Sequence, residues 1–197
     1  MNMRFAGLVL SALVLFAGLV QAASSYKAYG VALNSNLPAG IKVRPDMEAE
    51  LNRLVNAARK AKGRAALEAS PLFTVMARTQ AIDMVLTDKV WHNSARGEGF
   101  PTRFAAFADG VKYSMNGENA ARDRQPGEVD NKKAARLFEQ WIKSSSHYRN
   151  LLNPGYLHVS TGAVQKGNHL YAIQIFWAEP LKCQGFCTGE IKTFKIE

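Results

Sequence analysis

Four histidines stand at positions 92, 147, 158 and 169, in two kinds of surroundings. His158 precedes an alternating apolar run and His169 opens one, so both read as structural residues of strands. His92 and His147 fall in polar stretches, "KVWHNSARGEG" and "WIKSSSHYRNLLNP". Between them lies "NGENAARD", in which Glu118 follows Gly117, a residue that lets the backbone approach a partner closely. Two imidazoles and a carboxylate suit two chemistries. One is ligation of a divalent cation with an open position, the arrangement of a catalytic zinc; the other is general acid and base catalysis. Their spacing lacks the compactness of two histidines one helical turn apart. Residue types alone therefore leave another reading open, in which Ser145 or Ser146 caps a short helix containing His147 while Glu118 satisfies backbone donors.

Elements must position these groups. Met47, Leu51, Leu54, Val55 and Ala58 share one helical face, Asp46, Glu48 and Glu50 load its first turn, and Gly63 ends it. Ser70 as N-cap and Pro71 as first residue predict a second helix carrying Leu72, Val75, Met76, Thr79, Ile82, Asp83 and Leu86. The acid on that stripe, Asp83, requires a buried partner. Ala134, Leu137, Phe138, Trp141 and Ser145 predict a third helix, capped by Asp130. Residues 23–44 mix Ser, Asn, Gly and Pro and read as an arm, and residues 88–130 read as long loops around one extended piece near "KYSMNGENA". Two strands, 159–165 and 169–178, flank a Gly167-Asn168 turn. In the second, Tyr171, Ile173, Ile175 and Trp177 share one face and Ala172, Gln174, Phe176 and Ala178 the other. A sheet apolar on both faces must be covered on both, which predicts an α/β fold layered helix, sheet, helix.

The N-terminus carries one cation, Arg4, then an apolar run and a Val20-Gln21-Ala22 pattern, which predicts a signal peptide cleaved after Ala22. The run is too short and wrongly flanked for a membrane span. The mature chain is expected to be secreted or periplasmic, with no transmembrane segment and no lipid anchor. Its regions are 1–22 signal peptide, 23–45 N-terminal arm, 46–180 domain and 181–197 C-terminal extension. Cys183 and Cys187 in "CQGFC" are expected to close a disulfide in an oxidising compartment, since a metal site of that spacing would need two further ligands that the tail lacks. The formal charge of +9 is scattered, and its densest cluster, "RKAKGR" at 59–64, sits where a helix end favours cations. The cluster reads as a solvated face; attraction to anionic envelope polymers or lipid headgroups is the second reading of the charge. No nucleic-acid motif accompanies it, so nucleic acid is not an expected partner.

In combination the motifs resemble the CAP superfamily, or SCP (sperm-coating-protein-like) domain, in its bacterial form, over about residues 48–178. They are the Asn56, Arg59, Gly63, Leu67 series, the Gly-Glu-Asn triplet at 117–119, the Trp141, Ser144, His147, Asn150 series, "TGAV" and "YAIQIFW". The resemblance implies a three-layer α-β-α sandwich with a central antiparallel sheet and a cleft lined by His92, Glu118 and His147. It implies zinc or another divalent cation as cofactor, held by His92 and His147 with Glu118 nearby. It also implies a ligand-binding or envelope and host-interaction module for lipid, glycan or protein. The alternative is a secreted hydrolase using the same cleft, metal-dependent or with Ser94 as nucleophile. The chain departs from many animal relatives at Ser144, where they place a second glutamate, and at Tyr171, where they place a histidine.

Overall fold

The computed structural model describes residues 26–181, and the signal peptide and the Cys183–Cys187 pair lie outside them. Alternation along the last two strands decides the architecture. β4 (His158–Lys166) and β5 (His169–Trp177) pair antiparallel around Gly167, whose φ of 58° suits the turn predicted there. Tyr171, Ile173, Ile175 and Trp177 of β5 enter one core, and Leu170, Ala172 and Phe176 enter a second on the opposite face. β3 (Asn116–Asp123) pairs antiparallel with the free side of β5. β1 (Ile41–Val43) and β2 (Glu68–Ala69) share the far edge of β4 at its two ends, β1 antiparallel and β2 parallel.

Helices cover both faces. The first core is closed by α1 (residues 26–35), α3 (Thr74–Thr87) and α4 (Phe100–Ala108) through Tyr26, Met76, Ile82, Phe104 and Phe107. The second is closed by α2 (Pro45–Ala61), α5 (Asn131–Lys143) and α6 (Ser145–Leu152) through Leu51, Val55, Leu137, Trp141 and Leu151. Burial of each such side chain contributes about 1.5–3 kcal/mol. The predicted three-layer sandwich is the observed one. Among the described residues no helix is long and apolar enough to cross a membrane.

The segment read as an irregular arm contains α1 and β1. Tyr26 is fully buried, Tyr29 and Leu33 pack beside it, and Gly30 permits the approach, since a Cβ there would lie 2.8 Å from Thr79 Oγ1. The 88–130 stretch holds a helix as well as a strand: α4 begins after Gly99 with Pro101 in its first turn and turns Phe104 and Phe107 inward. The second predicted helix starts three residues late. Residues 71–73 form a turn because Phe73 N donates to Ser160 Oγ (3.1 Å) and its ring stacks on Phe104. Asp130 caps α5 as predicted, accepting from Lys133 N at 3.0 Å.

The basic cluster at 60–64 is exposed as expected, and Arg59 is its exception. It is 1% exposed and donates to the carbonyls of Ala65, Leu151 and Asn153, fastening the end of α2 to the end of α6. The open edge of β4 between β1 and β2 is occupied by Glu48, which accepts from Ala163 N (3.1 Å) and pairs with Arg78 (2.7 Å). The free edge of β3 is covered likewise: Gln140 Nε2 donates to the Arg122 carbonyl and Asn150 Nδ2 to that of Glu118.

Candidate functional site

Edge strand β3 meets both helical layers, and the three candidate residues approach one another along it. Glu118 lies on the α3/α4 side with Ala120, its side chain 1% exposed. His92 arrives from the loop between α3 and α4. Three successive carbonyls of that loop are clamped by two fully buried side chains: Gln80 Nε2 holds Trp91 O (3.0 Å) and Asn93 O (2.8 Å), and Arg103 Nη2 holds His92 O (2.9 Å). His147 comes from the opposite layer as the third residue of α6.

The two motifs are stapled together. Asn150 Nδ2 donates to Asn119 Oδ1 (2.9 Å), and Asn119 Nδ2 donates to the His147 carbonyl (3.2 Å). Gly117 allows this, because a Cβ there would stand 2.5 Å from Tyr156 Oη and 3.2 Å from Asn150 Oδ1. The capping alternative for His147 has no support in the hydroxyls: Ser144 is the N-cap of α6 without a side-chain capping bond, and its Oγ meets Ser146 Oγ at 3.2 Å. Glu139 is exposed and pairs with Lys143 on the outer face of α5.

His92 Nδ1 lies 2.8 Å from Glu118 Oε1, and the His92 and His147 ring centroids are 6.4 Å apart. The structure thus brings together all three residues singled out in the sequence. It adds a fourth. Arg103 Nη2 meets Glu118 Oε1 at 2.8 Å and Oε2 at 3.0 Å, inside the protein. Burial disfavours the guanidinium's charge, but Glu118 more than offsets this and raises the Arg103 pKa above its ordinary value. Burial first, and then the neighbouring charge of His92, lowers the His147 pKa below the usual imidazole value.

Chemically, a carboxylate on Nδ1 favours the tautomer with the proton there and leaves the His92 Nε2 lone pair free as ligand or base. Glu118 itself is engaged by Arg103 and His92. Among the described residues no group of three His, Cys, Asp or Glu side chains is arranged to hold a metal ion. The fit for a cation is therefore two imidazoles, with Glu118 orienting one of them. Ser94 is fully buried and closes the 94–98 turn: its Oγ donates to Glu98 and accepts from Arg96 N and Glu98 N. His158 stacks on Trp177 between Glu68 and Glu179 and makes no contact with these three residues. A separate hollow of about 640 Å³, lined by Arg44, Glu128, Gln165 and Asn168, lies at the hairpin end of the sheet and includes none of these residues.

Sequence reasoning missed Arg103 and Gln80. A signal for Arg103 existed in the spacing of Phe100, Arg103, Phe104 and Phe107, which places a cation within an aromatic helical stripe.

Comparison with known proteins agrees with this fold. The profile of the cysteine-rich secretory protein family, CAP, matches residues 53–178. The uncharacterised protein YkwD of Bacillus subtilis (strain 168) is 27% identical over 125 residues, 61% of this chain and 44% of that protein. An extracellular protein of Bacillus anthracis containing an SCP domain superposes with a TM-score of 0.56 at 19% identity, covering 68% of this chain and 41% of the other. An outer surface protein of Borrelia burgdorferi gives the same score at 16% identity, covering 68% and 92%. The chain spans less than half the length of the two Bacillus relatives. With most of α2 through β5 inside the matched region, the chain belongs to the cysteine-rich secretory protein family, CAP.

Proposed function

We propose that the protein is an exported CAP module that binds a ligand in the His92, Glu118, His147 cleft, in the envelope or at a host surface. The observation that carries this is the facing pair of imidazoles, one held by a buried carboxylate, at an edge strand where two layers meet. Export is supported by the predicted signal peptide and by structural relatives that are described as extracellular and outer-surface proteins. A divalent cation such as zinc, held by His92 and His147, would supply a positive charge with open positions for an anionic ligand group. Arg103 neutralises Glu118, so the ligand would meet imidazole nitrogens and not a free carboxylate. The hydrolase alternative loses its serine, because the Ser94 hydroxyl is committed to its own turn.

Mass spectrometry of the protein purified from native extracts tests the reading. A lipid, glycan or peptide that copurifies with wild type and is lost from His92→Ala/His147→Ala supports it. Equal retention by both proteins would move the binding site elsewhere.

A further inference from the structure

We propose that Arg103 is the positioning residue of the cleft: by holding both Glu118 oxygens and the His92 carbonyl, it fixes the ring orientation and tautomer of His92. The inference rests on the cleft reading only in treating His92 as a cleft residue; it needs neither a metal nor an identified ligand.

Three acceptors converge on one nitrogen. Arg103 Nη2 reaches Glu118 Oε1, Glu118 Oε2 and His92 O within 3.0 Å, so one guanidinium fixes the backbone of the histidine and the carboxylate on its ring together. Without that cation the Glu118 carboxylate would be buried with only His92 to balance it. The carboxylate would then be free to turn away from His92, and the Nδ1 contact would change.

Arg103 is itself held from behind. It is fully buried and packs against Phe100 on its own helix. The buried Tyr26 hydroxyl lies against Arg103, and the buried Asp83 carboxylate acts on both. These groups act on one another: Arg103 pulls against the strong burial shift of the Tyr26 phenol, and Asp83 adds to it. Tyr26 belongs to α1, which lies outside the matched family region. Tyr26 thus carries the brace into a segment beyond the profile match.

Side-chain nitrogen NMR of His92 tests the proposal, because a purely structural arginine would alter melting without altering the tautomer. Wild type should show the Nδ1-protonated form at neutral pH. Arg103→Lys keeps the charge, but its ammonium ends one atom short of the Nη2 position and cannot hold Glu118 and the His92 carbonyl as the guanidinium does. It should give a mixture of tautomers at His92 with His158 unchanged. Glu118→Gln should reproduce that change, and the double variant should add nothing beyond either single one, because both act through one contact. If Arg103→Lys fails to fold, Arg103→Gln takes its place, since Glu118→Gln leaves the arginine in position. A folded variant of either kind with His92 unchanged would overturn the proposal, as would additive effects in the double variant.

Discussion

Replacing Arg103 by Met removes the cation that faces Glu118 while keeping much of the side-chain volume. The partner left behind is a carboxylate with 1% of its side chain exposed, and its remaining side-chain contact is His92 Nδ1. Stranding a buried charge in this way costs about 3–5 kcal/mol. The lost bond to the His92 carbonyl adds roughly 1 kcal/mol. For a domain of this size each kcal/mol moves the melting temperature by about 2–4 °C, so the variant should melt on the order of 10 °C lower. Arg103→Met/Glu118→Leu removes both charges, and its loss should be well below the sum of the two single losses. Urea unfolding followed by tryptophan fluorescence, from Trp91, Trp141 and Trp177, measures the free energies, and a thermal melt the midpoint. A loss under about 1 kcal/mol for Arg103→Met, or additive single losses, would refute the buried-pair argument.

Three further outcomes follow from other parts of the structure. Tyr29→Phe removes the 2.6 Å bond from α1 to the buried Asp83 carboxylate and should cost about 1.5–3 kcal/mol at neutral pH. Burial raises the Asp83 pKa and the Tyr29 bond opposes that rise, so the cost should shrink as acid protonates Asp83; thermal melts at two pH values check this. The depressed His147 pKa means that the unfolded chain binds the proton more readily. Stability contributed by neutral His147 is full above the unfolded value of 6.5 and is lost as pH falls through the lower folded value, a slope that His147→Gln should remove from melts across that range. Gly162→Ala would place a Cβ 2.3 Å from Arg78 N, where β4 crosses the backbone of α3, and should cost about 3 kcal/mol or more in chemical denaturation.

How much could be read beforehand depended on how locally each feature was encoded. α2, α5 and the β4–β5 hairpin declare themselves through period and turn chemistry, and the two apolar faces of β5 were enough to require three layers. α1 and α4 escaped because Gly30, Asn34, Gly99 and Pro101 are turn formers in isolation; here they serve close packing, a side-chain bond to Thr79 and a helix start. The candidate site residues carried no local signature, since His92 and Glu118 are 26 positions apart and meet only through the sheet. Their motif resemblance supplied what spacing could not. The arginine at their centre was overlooked because a lone charged residue reads as solvated unless the aromatic stripe of Phe100, Phe104 and Phe107 around it is weighed.

Zinc titration followed at the ring signals of all four histidines bears most directly on the shared cleft. The account predicts that His92 and His147 shift together and saturate at one zinc per chain, with His158 and His169 unchanged, and that either His92→Ala or His147→Ala abolishes the response of the other. Independent responses of the two rings, no response at either, or a response centred on His158 would contradict it.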